Sequence, residues 1–287
     1  MGISLKRFKI IHITRYNFSA NVDLYPHTFR LRPREGHDLR IESSKLEIFP
    51  SAIVRWHRDV EDNSIAIASF KDKSNTLTIE SEILIQKYDI NPMDFLVSEH
   101  ALYYPFIYQA DETISLTPYL LNTEKLSGNL IGWTEGIWDN NEKIQTFTLL
   151  NRINQRIFQT LKYVKREEEG VQSADWTVAN CSGSCRDFAN LFMAIAQRLG
   201  LAARFVSGYI FSGGSPIESQ STHAWAEVFI PGAGWKGFDP TFGTVAGAQH
   251  IATAVARRPE LIPPISGSFY GNARSSMAVE VWVTEAT

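Results

Sequence analysis

The stretch NCSGSCRDFANLFMAIAQRLG, Asn180–Gly200, holds both cysteines of the 287-residue chain, four positions apart. Phe188, Leu191, Phe192, Ile195 and Leu199 fall at i, i+3, i+4, i+7 and i+11, the spacing of one apolar helix face. Gly200 is a fitting stop. Ser184 and Asp187 match the S-x-x-[DE] capping box, which makes Ser184 the N-cap and Cys185 the first helical residue. The unpaired N–H groups and macrodipole of a helix N-terminus favour a thiolate over a thiol. Cysteines so placed, with a basic partner, ionise at roughly pH 3.5–7.5 instead of about 8.5. The Cys185 N–H, with no acceptor inside the helix, would point where an oxyanion develops. Cys181 precedes the cap in a Ser/Gly turn and gains neither benefit. On these residues alone, two small buried thiols remain the competing reading.

Two cysteines in a chain of this length do not make a disulfide framework. A structural zinc takes about four ligands at paired spacings. C-x3-C stands without a second pair and His250 is far off in sequence, so no metal is expected. No D-x-[DN]-x-[DN]-G calcium loop is present, and no cofactor is expected either.

A nucleophilic cysteine needs a histidine, and the histidine needs an acceptor that fixes its tautomer. His12, His27, His37, His57 and His100 fall in the first part of the chain and read as incidental. His223 opens STHAWAEVFIPGAGWKGFDPTFG, two strands around a Pro-Gly turn, with Asp239 near the end of the returning strand. Were PGAG a four-residue loop in plain register, His223 and Asp239 would project from opposite faces. A loop of odd length, or one bulge, restores them to one face, so such an irregularity is expected. Glu227 shares the parity of His223 but lies about 13 Å along an extended strand, which makes it a fallback only. Asp187 is assigned to the cap.

Outside this block, FKIIHITRYNF alternates with Phe8, Ile10, His12, Thr14 and Tyr16 on one face. HTFRLRPR, DLRIESSKLEIFP, SIAIASF and TLTIESEILIQ follow as short period-2 runs, the pattern of an antiparallel sandwich. Arg30, Arg32 and Arg34 read as a solvated sheet face. Leu150, Ile153, Ile157, Leu161 and Val164 mark a second helix, and ARFVSGYIF, HAWAEVFI, GWKGFDPT and MAVEVWV read as strands. The expected organisation is a β-rich domain over 1–90, a connecting segment over 91–143 and an α+β core over 144–287.

Composition narrows the partners. Hydrophobic residues make up 44% of the chain and the formal net charge is −3, which gives no broad basic field for nucleic acid. No run approaches the roughly 18 apolar residues of a membrane span. The apolar opening is broken by Lys9, His12 and Arg15 with no cleavage site after it, so a cytoplasmic location is expected.

GSCRDFANLFMAIAQRLGLAARFVSGY, HAWAEVFIPGAGWKGFDPTFG and the closing PPISGSFYG and MAVEVWV together resemble the bacterial transglutaminase-like proteins, described as candidate cysteine proteases. HITRYNFSANVDLYPHTFRLRPR through LTIESEILIQ resembles the β-rich N-terminal domain that accompanies that core. The resemblance implies a papain-like core with a Cys-His-Asp triad: Cys185 as nucleophile, His223 as general base and acid, Asp239 as orienting carboxylate. It implies acyl transfer on a peptide or protein amide, with hydrolysis expected first and transamidation to an amine second. A non-catalytic binding module on the same fold is the reading from a different class. The chain departs from the family at Ala256-Arg257-Arg258-Pro259, where relatives tend to Gly-Arg-Asp-Tyr. The second oxyanion donor is left open among Trp133, Trp176 and Asn180.

Overall fold

The computed structural model describes residues 4–89, 91–121, 128–139, 142–166, 168–213 and 222–286. Six strands come first: β1 (Ser4–Leu24), β2 (His27–Phe29), β3 (Leu39–Phe49), β4 (Ala52–Arg58), β5 (Ser64–Phe70) and β6 (Ser74–Asp89). Helices α1 (Ala110–Leu120), α2 (Gly128–Thr134), α3 (Thr146–Thr160), α4 (Ala174–Ala179) and α5 (Cys185–Arg198) follow. The later strands are β7 (Ala203–Ile210), β8 (His223–Ile230), β9 (Gly234–Asp239), β10 (His250–Ala256) and β11 (Ser275–Glu285).

Strand β1 is long enough to serve two partners. Its even-numbered residues face inward, and alternation drives them there because each buried large apolar side chain contributes roughly 1.5–3 kcal/mol. At one end Phe18, Val22 and Leu24, with Leu77 and Ile79 of β6, pack against Phe29, Ala66 and Ala68 of the small β2-β5-β4 sheet. That contact is the sandwich. At the other end Phe8 and Ile10, with Ile83 and Ile85, pack against Tyr209 and Ile251 of the second sheet. Between them His12 and Thr14 are buried, and His12 bridges Thr14 Oγ1 (2.9 Å) and the Tyr209 hydroxyl (3.1 Å).

The second sheet is antiparallel, in the order β9-β8-β7-β10 with a short Thr244–Val245 strand on the outside of β9. One face, with Ala224, Ala226, Val228 and Phe238, shares a core with Phe188, Leu191, Phe192 and Ile195 of α5 and Leu149, Leu150, Ile153 and Ile157 of α3. The α5 stripe is the one its spacing predicts. Helix α3 stops at Thr160, short of Val164, because Lys162–Tyr163 instead pairs in parallel with Ser182–Gly183. An α+β chain with a β-rich front half is therefore established.

Two expectations need correction. The closing strand β11 does not join the core sheet: it runs antiparallel to β1, with Val281 opposite His12 and Met277 opposite Tyr16. Ile265–Ser266 likewise pairs with β2, so the first domain is built from both ends of the described chain and the 144–287 boundary fails beyond about Ile265. Alternation announces a strand without naming its partner. Arg30 and Arg34 are not part of a solvated face either. Arg30 donates to Pro263 O at 3.2 Å, and Arg34 donates to Glu61 O (2.8 Å) and Asn63 Oδ1 (2.6 Å), all part-buried.

Candidate active site

Helix α5 begins at Cys185, with Ser184 at φ −90° and ψ 177° as N-cap. The Ser184 N–H donates to Asp187 Oδ2 at 2.8 Å and its hydroxyl donates to the same oxygen at 2.7 Å. Gln172 N–H (2.7 Å) and Arg166 Nη1 (2.8 Å) bind Oδ1. Burial would raise the Asp187 carboxyl, but these donors hold it below the usual carboxylate range. The capping assignment stands. So does the subordinate place of Cys181, which is exposed, adopts φ +48°, and precedes an extended path through Ser182–Gly183 and Ser184. Four extended steps separate the two Cα atoms by on the order of 12 Å, and a disulfide spans at most about 7 Å. The two cysteines are free.

The hairpin carries the expected irregularity. Ile230 pairs with Gly234, so the loop is the odd-numbered trio 231–233, and Ala226 stands opposite Phe238. Asp239 thereby shares a face with Trp225 and His223. Phe238, pointing the other way, is fixed between Phe192 (5.2 Å) and Phe147 (5.4 Å). Gly237 is required here: a Cβ on it would lie 2.5 Å from the Ala246 side chain.

His223 and Asp239 are buried and joined, Nε2 to Oδ2, at 2.7 Å. The Cys185 side chain lies close enough to the imidazole to influence its ionisation. With Nε2 committed to Asp239, Nδ1 is the ring nitrogen left for the sulfur. Burial works against a charge on His223, but the Asp239 charge and hydrogen bond, then Cys185, outweigh it and hold the imidazole well above the ordinary histidine range. Asp239 moves oppositely: burial would raise it, and the two histidines pull it well below the carboxylate range. Trp225 and Phe242 wall the His223 ring at 6.1 and 5.5 Å.

The residue that local reading missed is His250. Its Nε2 lies 2.9 Å from the same Asp239 Oδ2, while Thr241 N–H binds Oδ1 at 2.9 Å. No short-range signal marks it, since it reaches the site from another strand. His223, Asp239 and His250 have ligand-capable atoms within 4.8 Å of one another, the kind of group that could hold a metal ion. In this geometry the carboxylate is already satisfied by ring N–H donors. Glu227, the fallback acceptor, is engaged with Arg204 at 2.7 Å. Among the oxyanion candidates, Asn180 donates to Trp176 O (2.9 Å), Trp133 lies under the Arg156 guanidinium, and Trp176 is half-exposed on α4.

A thiol at a helix head and a histidine–carboxylate pair on an antiparallel sheet are the side chains that nucleophilic thiol chemistry requires. Residues 133–240 match the transglutaminase-like superfamily and residues 8–86 match the bacterial transglutaminase-like N-terminal region, so the chain carries a transglutaminase-like core behind that N-terminal region. It is similar over its whole length to a crystal structure of a candidate cysteine protease from Cytophaga hutchinsonii, with a TM-score of 0.75, 18% identity, and coverage of 99% of this chain and 92% of that one. It is 23% identical over 285 residues to an uncharacterised protein of Mycobacterium leprae, covering 97% of this chain and 98% of the relative. A Mycobacterium tuberculosis protein is 26% identical over 288 residues, with 94% and 90% covered. Family and site together are those of a thiol-dependent enzyme. Among the described residues no helix is long and apolar enough to cross a membrane.

Proposed function

We propose that this protein performs acyl transfer on amide bonds, with peptide or isopeptide hydrolysis as its reaction. The observation that carries the reading is one buried imidazole bonded to Asp239 and close enough to a helix N-terminal cysteine for the thiol to influence its ionisation. Cys185 as thiolate attacks the amide carbonyl, and the Cys185 N–H at the helix head faces the developing oxyanion. The His223 imidazolium gives its proton to the leaving amine, which leaves a thioester on Cys185. His223, now neutral, draws a proton from water, the water attacks the thioester, and the acid is released as the thiolate re-forms. Asp239 keeps the ring in the Nε2–H tautomer and stabilises its charge. Replacing water by an amine in the second half gives transamidation through the same thioester. Peptide or protein amides are the substrate class.

Iodoacetamide at neutral pH tests the reading against a non-catalytic module. Selective alkylation of Cys185, lost in His223→Ala, supports it. Alkylation indifferent to His223 would overturn it. A thioester adduct on Cys185, detected by mass spectrometry after incubation with a peptide library, identifies the acyl donor.

A further inference from the structure

His250 occupies the Asp239 carboxylate by a contrivance of the sheet. Along the regular part of the β7–β10 ladder Val206 stands opposite Val255, and Ser207 opposite Ala254. The register then slips, so that Gly208 meets Ala252 and Ile210 meets His250. A one-residue slip reverses every later side chain. Without it His250 would point to the face opposite His223, which itself pairs with Gly208. The slip needs a glycine: a Cβ on Gly208 would lie 2.2 Å from the Ile251 carbonyl oxygen.

The first domain clasps this strand on both sides of the slip. Asn63, fully buried, donates its Nδ2 to Val255 O and accepts Val255 N–H at Oδ1, both at 2.8 Å, as a strand neighbour would. The Arg34 N–H donates to Ala252 O at 2.8 Å. At the head of the strand the Gly247 N–H donates to His250 Nδ1 at 3.2 Å, which leaves the ring proton on Nε2, aimed at Asp239. His250 lies outside the residues that match the superfamily model, which end at 240.

We propose that His250 is a positioning residue for the reaction: its neutral imidazole fixes the Asp239 oxygen that holds His223, and the N-terminal domain, through Asn63, seats the bulged strand that delivers it. The inference rests on the Cys185–His223–Asp239 reading above. Charged and titratable groups face His250 from every side: Asp239 from β9, His223 from β8, and Lys87 of β6, itself paired with Asp38 at 2.7 Å. The Trp225 ring closes the remaining side at 5.1 Å. Burial keeps His250 neutral against the pull of Asp239. A neutral donor steadies Oδ2 without adding a second positive charge beside the imidazolium. Without that donor the carboxylate turns away or takes up a proton, the imidazolium weakens, and thiolate forms at higher pH.

The test uses the full chain and iodoacetamide, reading the rate of Cys185 alkylation from pH 5 to 9 alongside thermal unfolding. In His250→Leu the rate at pH 6 falls about tenfold and the acid limb moves up by about one pH unit. His250→Gln, whose amide can donate from about the same place, restores most of the rate. Asn63→Ala shifts the limb in the same direction by less, and adds nothing on top of His250→Leu. A folded His250→Leu whose profile overlays the wild type, or a Gln variant no better than Leu, overturns the proposal. If His250→Leu does not fold, nitrogen-15 spectra of the wild type decide: the His250 ring must stay neutral and Nε2-protonated from pH 5.5 to 8, and a charged or Nδ1-protonated ring overturns it. Alkylation that ignores His223→Ala sinks the triad itself. Dependence on His223 without dependence on His250 sinks only this inference.

Discussion

Asp187 and Asp239 are both fully buried carboxylates held below their ordinary range, yet they are built from different donors. Asp187 is closed by two backbone N–H groups, a hydroxyl and a guanidinium. None of those changes charge near neutral pH. Asp239 keeps one backbone donor and gives its other oxygen to two imidazoles. The first arrangement can only hold a helix head in place. The second can accept and release a proton through His223 while its own charge stays constant.

The contrast is sharpest under substitution. Asp239→Asn keeps the shape, removes the charge and lets the imidazole turn; turnover of the substrate found by the adduct screen should drop by about 10³–10⁴, far out of proportion to the stability lost with the ion pair. Wild-type turnover would show that another acceptor serves His223. Asp187→Ala should behave the opposite way. It leaves the mostly buried Arg166 guanidinium paired, among the described residues, with exposed Glu168 alone and strips the α5 cap, so denaturant unfolding should report a loss of about 3–5 kcal/mol. If stability drops more for Asp239→Asn than for Asp187→Ala, the division between scaffold and chemistry is wrong.

Acid titration separates buried polar groups further. His223 has a raised folded value, so its stabilisation is complete below the unfolded histidine value of about 6.5 and is lost as pH rises through the raised one. Asp239 has a lowered folded value, so its share is present above about 3.9 and is lost only as pH falls through that lowered value. The pair therefore supports the fold throughout the neutral range. His12, lowered by burial to about 4, does the reverse: its neutral ring becomes a liability as pH falls from about 6.5 to 4. Stability should decline by about 3 kcal/mol across that interval, and His12→Gln should flatten the slope in urea melts taken at stepped pH.

The smallest effect concerns the other thiol. Cys181 sits at φ +48°, a conformation that costs a residue with a Cβ roughly 1–2 kcal/mol. Cys181→Gly should stabilise the protein by about 0.5 kcal/mol once the added flexibility of glycine is counted, and should leave Cys185 alkylation as it was. A loss of alkylation in that variant would give Cys181 a role that its geometry does not.

Whatever depends on neighbours in sequence was legible before the fold was known. The α5 stripe, the Ser184–Asp187 cap and the odd hairpin loop all follow from spacing within about twenty residues, and they supply Cys185, His223 and Asp239. What escaped depends on long-range pairing. His250 reaches the site only because a bulge in β10 turns it round, and a bulge has no mark in the apolar pattern. Arg34 read as part of a solvated face because the strand it meets lies more than 200 positions further on. The last strand read as part of the core because its alternation fits any sheet with a free edge.

That last pairing governs how the molecule is made. Strand β11 leaves the ribosome long after β1, so β1 must wait, one edge bare, while the catalytic half is synthesised. A truncation at residue 240 would retain Cys185, His223 and Asp239 yet strand that edge in solvent and omit His250. Recombinant fragments cut there should precipitate or exchange strands between copies, and a screen relying on such fragments would miss a competent enzyme.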